Sequence, residues 1–584
     1  MKDEGLRKTK DERRKTKQTS FLLLTCAIIA IIEALLALQG FCMADEGWSL
    51  SGYQQIYHDP ESVSYIFLFY NALWIGGLWE SLFGSWGIYG FRILNILFIV
   101  ASWAICYLTI CKFASRATLI ASMLMLICAH NYGVMVFDHS SVTVLLSVAS
   151  IYMMCKSLTT HSHWYALAFG LCIGINIFSR IPNISQLTLL LLLIPYYIFN
   201  RNIRQTLRLT ITAVVGIVAG IVLLLLLMWA TGHLPIFVDN LHSGFSAASS
   251  ADSSHNIGIM ASKYIAQYIQ VVKDMVKVML PPLLLHEFDN MMFLYAFCTL
   301  MLLAGLWCFR HEAQYVYTAL GALIVLYTLP LGSDYGINNM GENAIWMATP
   351  LALATTFMLA RGLKSKTTGR QMPRLWMSYY VVAVGVAFCT IFIVMNSIIM
   401  SRSAYFDYGA RMEKVFRIDH PLANTYTSER YKTSTDSILH VLACYVKPGD
   451  RLLCFQSRPM LHYLTHTRPF MQNPWPWSFD SNMMELNMKR AERRTELNGE
   501  PWPVVVREKC GLIDFTQPDP LWDSTDATDD FMHKNRKVEL IHDFISRHGY
   551  HVAWENDGYQ LLVPTNRTFS LSQMSRESLL TLPW

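Results

Sequence analysis

The sequence predicts an α-helical polytopic membrane protein with a soluble α/β domain at its C-terminal end. Of the 584 residues, 53% are hydrophobic and only 15% are charged, whereas soluble domains carry about 25% charged residues. Apolar runs long enough to cross a bilayer recur through residues 20–400. After residue 401 the chain carries 22 basic and 23 acidic residues, the balance of a soluble domain.

Eleven apolar segments are predicted to span the membrane, because a spanning helix needs roughly 20 mostly apolar residues. They lie at about 20–42, 88–110, 117–136, 141–156, 164–179, 185–200, 209–231, 289–309, 314–331, 344–361 and 375–399. The basic tail 1–19 is too long and too charged for a cleavable signal sequence, and no small-residue cleavage site follows it. We expect this tail to be cytoplasmic and the first span to be a signal anchor.

The positions of Lys and Arg orient these spans. Of the 25 Lys and Arg before residue 401, 20 fall in segments that are cytoplasmic if the N-terminus is inside, four fall in outer segments, and Arg92 lies within the second span. Cytoplasmic loops carry an excess of Lys and Arg. The sequence therefore predicts a cytoplasmic N-terminus and an outer C-terminal domain at 401–584. Compact loops favour a bacterial inner membrane, so this domain would be periplasmic.

Two outer loops are long, at 43–87 and 232–288. The first contains no Lys or Arg but five acids and many aromatic residues, and its apolar part is interrupted by glycines. It favours an interfacial or re-entrant pair of helices over another span, which would upset the charge count. The second contains the amphipathic stretch GIMASKYIAQYIQVVKDMVKVML, which we expect to lie on the membrane surface.

Strand and helix patterns define the core of the C-terminal domain, at about 430–565. SILHVLACYV predicts a helix, RLLCFQ and WPVVVREK predict strands, KVELIHDFISRHG predicts a helix, and YHVAWENDGYQLLV predicts a hairpin. The stretch 480–500 and the acidic stretch 523–530 are expected to be loops.

Three outer turns next to spans supply the candidate site residues. Asp45 and Glu46 follow the first span, Asp138 and His139 lie in the second outer turn, and Arg180 lies in the third. Each has a simpler alternative: Asp45 and Glu46 as a solvated loop start or a helix cap, Asp138 as a helix N-cap, and Arg180 as an arginine reaching lipid headgroups. Together, carboxylates suited to act as a base and a guanidinium suited to a phosphate predict a site for a lipid-linked phosphate.

Four motifs, in their order along the chain, resemble the GT-C superfamily of polytopic glycosyltransferases. MADEGWS, FGSWGIYGFRILNILF, FDHSS and GLCIGINIFSRIPN occur within residues 20–200. They are most similar to the protein O-mannosyltransferase and lipid A aminoarabinose-transferase branch. No WWDYG-type motif occurs, which disfavours an oligosaccharyltransferase.

The resemblance implies an inverting transfer of a sugar from a polyprenyl-phosphate carrier at the outer face. It implies that Asp45 is the base with Glu46 as its companion, and that Asp138 and its neighbour His139 belong to the substrate site. It places Arg180 near the donor phosphate. Arg92 lies in the recurrent start of the second span, where the alternative is a partner inside the bundle for an acid such as Glu33 or Glu80.

The expected partners are a polyprenyl-phosphate sugar donor, a lipid, glycan or protein acceptor, and membrane lipids, but no nucleic acid. No metal ligand is assigned, although Asp45, Glu46 and Asp138 could hold a divalent cation. Two functions of other classes remain open from the sequence. A transporter or flippase would favour related halves with helices broken at mid-bilayer, and a non-catalytic glycan-assembly subunit could share the same architecture.

The predicted orientation is tested by fusing alkaline phosphatase after Trp584. Because the outer segments hold four Lys and Arg and the cytoplasmic segments hold 20, we expect the fusion to be active in the periplasm. A fusion to green fluorescent protein at the same place serves as the reciprocal reporter, and strong cytoplasmic fluorescence with an inactive phosphatase would overturn the span count.

Overall fold

The computed structural model describes residues 2–130, 135–249, 256–278, 290–365, 372–407, 409–509 and 534–565. Within these ranges the chain is mostly helical. The helices of the membrane region are α1 Lys2–Leu36, α2 Asp45–Gln55, α3 Tyr70–Phe83, α4 Gly87–Ile110, α5 Arg116–His130, α6 His139–Thr160, α7 His163–Asn176, α8 Leu193–Asn200, α9 Ile203–Ala230, α10 Leu234–Ser249, α11 Ile257–Lys277, α12 Asn290–Cys308, α13 Ala313–Thr328, α14 Ile337–Ser365 and α15 Met372–Arg402. Shorter 3-10 helices occupy Pro60–Phe69, Gly84–Trp86 and Ile181–Leu192.

Each of the eleven predicted spans overlaps a helical segment within the described residues. Among the described residues, eight of these segments are long and apolar enough to cross a membrane: Thr16–Leu36, Pro60–Ile110, His139–Thr160, Ile181–Asn200, Ile203–Ala230, Met291–Cys308, Ile337–Leu363 and Arg374–Arg402. Helices α5 and α13 are apolar but shorter. The chain is therefore a polytopic, membrane-embedded protein.

The first span is shorter than predicted. Helix α1 ends at Leu36, and the segment 37–44 runs as a loop to α2. Gly40 in this loop has a φ of +95°, a conformation that glycine adopts without strain. The side chain of Arg92 binds the carbonyl oxygens of Ala37, Gln39 and Gly40. These carbonyl oxygens therefore accept from Arg92 instead of from the backbone N–H groups of a helix continuing to residue 42, as the sequence had predicted.

Helices α7 and α9 pack through glycines at unusually short range. A Cβ atom on Gly170 would lie 2.1 Å from the carbonyl oxygen of Ala213, and one on Gly216 would lie 2.3 Å from that of Leu167. Small residues allow helices in a membrane to approach this closely. The contact fixes α7, whose end leads directly to Arg180.

Both long loops that the sequence predicts to be outer contain helices. In loop 43–87 the predicted pair corresponds to the 3-10 helix at Pro60–Phe69 and to α3, and α2 precedes them. In loop 232–288 the predicted amphipathic helix is α11, and α10 is an additional helix. Helix α11 buries Tyr264 and exposes Ile265.

The C-terminal region contains a five-stranded mixed sheet. Its strands are β3 Arg451–Cys454, β4 Arg468–Pro469, β5 Val504–Glu508, β6 Tyr550–Glu555 and β7 Tyr559–Pro564, while β1 Phe416–Arg417 and β2 Tyr426–Thr427 form a separate pair. The helices are α16 Glu429–Tyr445, α17 Met460–Thr465, α18 Ser481–Asn498 and α19 Lys534–Arg547. The strand order is β4-β3-β5-β7-β6. Strand β3 runs parallel to both β4 and β5, and the hairpin β6–β7 adds antiparallel to β5.

The sequence-based strand and helix positions in this region are confirmed except at 480–500. That stretch is α18 rather than a loop, while 523–530 lies outside the described residues. The side chain of Asp480 caps the helix by accepting from the amide of Met483, and Gly499 ends it in the left-handed conformation. Two buried methionines, Met484 and Met488, lie on its inner face. Charged residues separate these few apolar positions, so the hydrophobic periodicity of a helix was not evident in the sequence of this stretch.

The sheet region is attached to the membrane region at α2. The amide of Met460 donates to the carbonyl oxygen of Met43 at 3.0 Å, and the Ser51 hydroxyl donates to the carbonyl oxygen of Pro459 at 2.9 Å. The turn after β3 therefore lies directly against the first turn of α2, where Asp45 and Glu46 stand.

The tightest point of this attachment is Gly47, and we predict that Gly47→Ala destabilises the protein. A Cβ atom at this position would lie 2.1 Å from the backbone nitrogen of Met460. Because the backbone must move to accommodate this atom, we expect the free energy of unfolding to fall by about 1–3 kcal/mol. The change is measured as a lower midpoint of thermal unfolding in detergent. Gly362→Ala is the matched control, because among the described residues nothing beyond its own helix backbone lies within 4 Å of a Cβ there. Equal midpoints for the two variants would show that the contact at α2 is loose.

Candidate active site

Glu46 and Arg92 form a buried ion pair behind the first turn of α2. Their atoms Oε2 and Nη2 are 2.8 Å apart, and both side chains are 1% exposed. The guanidinium also donates to the carbonyl oxygens of the 37–44 loop at 2.7–3.2 Å. Arg92 therefore has a partner inside the bundle, as the sequence-based alternative held, but the acid is Glu46 rather than Glu33 or Glu80. This pair fixes the path of the loop that leads to Asp45.

Asp45 occupies the first position of α2 and is half-buried. Its Oδ2 atom accepts a hydrogen bond of 2.6 Å from the hydroxyl of Tyr405. Burial raises the pKa of Asp45 to about 6, and the charges of Asp138, Glu46 and Asp334 act in the same direction, while the bond from Tyr405 lowers it. Asp45 is thus deprotonated at neutral pH but close to its titration range, which suits a general base.

Asp138 is the N-cap of α6. Its Oδ1 atom accepts from the amides of Ser140 and Ser141, at 2.9 and 3.1 Å, in a capping box. The other oxygen, Oδ2, lies 3.7 Å from Nδ1 of His139. The N-cap alternative is correct, and capping engages only Oδ1 of the two carboxylate oxygens among the described contacts.

Arg180 lies between α7 and the 3-10 helix at Ile181–Leu192, and it is 4% exposed. Because the side chain is buried within the protein, it does not reach out to headgroups as the alternative required. Burial lowers the pKa of Arg180 to about 10, an effect opposed by nearby Tyr264, Asp138 and Asp334. The guanidinium therefore keeps its charge at neutral pH.

The hydrogen bonding of Arg180 is sparse for a buried guanidinium. Its Nη1 atom donates to the carbonyl oxygen of Leu329 at 3.3 Å, although the group has five N–H donors. Within the described ranges no carboxylate oxygen lies within 4 Å of it. The arrangement leaves donors free for an anionic ligand.

Buried amides anchor the turn that carries Arg180. The side-chain amide of Asn183 donates to the Thr143 hydroxyl and to the backbone carbonyl oxygen of Asn176. The backbone N–H of Asn183 donates to the carbonyl oxygen of Arg180 at 2.9 Å. Gln186 and Asn176 bond to each other at 3.1 Å. A polar network inside the bundle therefore fixes the backbone at Arg180.

The structure adds residues that sequence reasoning did not assign. Asp334 acts electrostatically on both Asp45 and Arg180. Glu342, on α14, acts on Tyr405, whose pKa is raised by burial and by the charge of Asp45. Both acids belong to the stretch GSDYGINNMGEN at residues 332–343. The sequence around Tyr405 does not indicate a role in the site, because Tyr405 lies 360 residues from its partner Asp45 in the chain.

The site contains several carboxylates, but they are not arranged as a metal site. Among the described residues no three His, Cys, Asp or Glu side chains come together in a group that could hold a metal ion. Glu46 is engaged with Arg92, and Oδ1 of Asp138 is engaged in capping.

Comparison with known proteins identifies the fold. No protein-family model matches the chain, and no curated protein matches its sequence. The structure is similar to ArnT from Cupriavidus metallidurans bound to undecaprenyl phosphate, with a TM-score of 0.50 and 12% identity over 93% of this chain and 98% of that chain. ArnT from the same organism in the apo state matches over the same shares with a TM-score of 0.49. The chain thus has the fold of ArnT. ArnT is a lipid A aminoarabinose transferase with the GT-C fold, and this is the branch that the sequence motifs of the present chain resemble.

Proposed function

We propose that this protein is an integral-membrane glycosyltransferase that transfers a sugar from a polyprenyl-phosphate-linked donor to an acceptor at the outer face. The observation that carries the proposal is the convergence of Asp45, Asp138 and Arg180. These residues come from three separate predicted outer turns, yet Asp138 acts electrostatically on both Asp45 and Arg180. An acid that can serve as a base thus lies in the same site as a buried cation with free donors.

Arg180 supplies the phosphate-binding part of this site. A planar guanidinium binds phosphate through paired hydrogen bonds, and four of the five Arg180 donors have no assigned partner among the described residues. The similar structure of ArnT was solved with undecaprenyl phosphate, which supports a lipid phosphate as the anion. The turn lies at the end of a predicted span, where a headgroup could enter from the bilayer.

Asp45 supplies the base. An acceptor hydroxyl has a pKa far above 7, so its proton must leave as its oxygen attacks the anomeric carbon. The carboxylate takes that proton, a contribution worth typically 10²–10⁴ in rate. The bond between the anomeric carbon and the phosphate oxygen breaks at the same step. The leaving polyprenyl phosphate keeps the bonding electrons, and Arg180 stabilises its charge.

This single displacement inverts the anomeric centre. Glu46 then acts by fixing the first turn of α2 rather than by contact with substrate, because its carboxylate is buried in an ion pair with Arg92. Asp138 and His139 line the same site and are assigned to substrate binding. The site lies on the outer side of a bacterial inner membrane, with the N-terminus cytoplasmic and the C-terminal region periplasmic.

The base is tested with Asp45→Asn in purified protein that transfers sugar in a single turnover from a matched undecaprenyl-phosphate sugar. Asn has nearly the same shape but cannot take the proton, so we expect transfer to fall at least about a hundredfold while donor binding stays normal. Below about pH 6 the wild-type rate should also fall, because Asp45 becomes protonated there.

Asp239→Asn is the matched control, because that side chain is 64% exposed and forms its ion pair with Arg490 at the surface. Turnover of Asp45→Asn at the control rate would remove Asp45 as the base. Absence of transfer from wild type with any lipid-linked sugar tried, together with intact donor binding, would favour the non-catalytic subunit.

The donor site is tested with Arg180→Ala and a direct binding measurement with undecaprenyl phosphate. Loss of charged hydrogen bonds should weaken binding by about 1.5–3 kcal/mol. Arg204→Ala is the control, because Arg204 is exposed and lies in a predicted cytoplasmic turn. Equal affinities for the two folded variants would exclude Arg180 from the phosphate site.

A further inference from the structure

The chain that leaves the last predicted span makes a tight, strained turn at residues 404–407. Ala404 and Asp407 exchange backbone hydrogen bonds of 3.3 and 3.1 Å across it. Between them Phe406 has a φ of +49°, a conformation that L-residues other than glycine rarely adopt. Backbone strain of this kind persists only where surrounding contacts enforce it, and it occurs often at functional sites.

Asp407 is the contact that enforces the turn. Its carboxylate is 0% exposed and forms an ion pair of 2.7 Å with Lys414, which is also fully buried. The other oxygen accepts from the Thr427 hydroxyl at 2.7 Å and from the amide of Phe41 at 2.9 Å. One buried carboxylate thus ties the turn to the loop that leads into α2.

The turn presents Tyr405 to Asp45. The phenol hydroxyl donates to Oδ2 of Asp45 at 2.6 Å, within the range of strong bonds to a carboxylate. The Phe406 ring lies 4.4 Å from the Tyr405 ring and limits its movement. Oδ1 of Asp45 accepts no hydrogen bond from the described residues, so it is the oxygen left for an acceptor.

We propose that Tyr405 is a positioning residue for the base, held in place by the 404–407 turn. This inference rests on the proposed function. Its bond fixes the Asp45 carboxylate through Oδ2, so that Oδ1 is aimed at the acceptor hydroxyl. Tyr405 follows α15, at the C-terminal end of the membrane region. The carboxylate of Asp45 is therefore positioned only when the chain after α15 packs against the loop after α1.

The hydrogen bond from Tyr405 also affects the pKa of Asp45. Burial and three neighbouring carboxylates favour the protonated form of Asp45, and the Tyr405 hydroxyl is the group that opposes them. A hydrogen bond to a carboxylate stabilises the charged form. Removal of the hydroxyl should therefore raise the pKa of Asp45, and the base would be lost at a higher pH.

Tyr405→Phe tests the inference by removing one hydroxyl. We expect kcat to fall by about tenfold with little change in KM for the donor, and the acid limb of the pH profile to move up by about one pH unit. Tyr197→Phe is the matched control, because that ring is 40% exposed at the predicted cytoplasmic side. The midpoint of thermal unfolding is measured for both variants.

A second substitution keeps the test decisive if Tyr405→Phe lowers stability. 3,5-Difluorotyrosine at position 405 keeps the ring and makes the hydroxyl a stronger donor, so the acid limb should move down in pH instead of up. Opposite shifts for the two variants are the result that the inference requires.

The outcomes separate this inference from the proposed function. If Asp45→Asn is inactive but neither substitution at Tyr405 moves the acid limb, the inference is wrong and the base assignment stands. If Asp45→Asn transfers sugar at the wild-type rate, the base assignment is wrong, and the role of Tyr405 is overturned with it.

Discussion

The buried ion pair between Arg92 and Glu46 is the interaction on which the site depends. Removing one member of such a pair leaves an uncompensated charge in a medium of low polarity and costs about 3–5 kcal/mol. Arg92 also binds the carbonyl oxygens of the loop after α1, so the charge that neutralises Glu46 holds the backbone before Asp45. Asp407 and Lys414 form a similar buried pair, and Asp407 also accepts from the amide of Phe41 in the same loop. Both pairs fix the position of α2, against which the sheet region packs.

The charges that lack such partners define the candidate site. Among the described residues, Arg180 is buried but makes one side-chain hydrogen bond, to a carbonyl oxygen, and Asp45 keeps one oxygen without a bond. Asp138 uses one oxygen for its cap and leaves the other toward His139. Because unpaired buried charge is expensive, these groups are best explained by a ligand that completes them. A phosphate at Arg180 and an acceptor hydroxyl at Asp45 would do so.

How much could be predicted from the sequence depended on whether the signal was local. Asp45, Asp138 and Arg180 lie beside predicted spans, so charge counting predicted the same side of the membrane for all three, and in the structure Asp138 acts electrostatically on the other two. Tyr405 could not be found this way, because its contact with Asp45 depends on the whole bundle closing between them. The partner of Arg92 was missed for a related reason: α1 ends at Leu36 rather than near residue 42, so the chain folds back and places Glu46 beside α4.

The most direct test of the central claim is a cryo-electron microscopy structure of the full chain with undecaprenyl phosphate. The account predicts phosphate oxygens within about 2.7–3.2 Å of the Arg180 guanidinium, and Oδ1 of Asp45 facing the place that the sugar would occupy. The Arg92–Glu46 pair should remain intact in that structure. A phosphate bound elsewhere, with Arg180 still bonded only to the carbonyl oxygen of Leu329, would contradict the account.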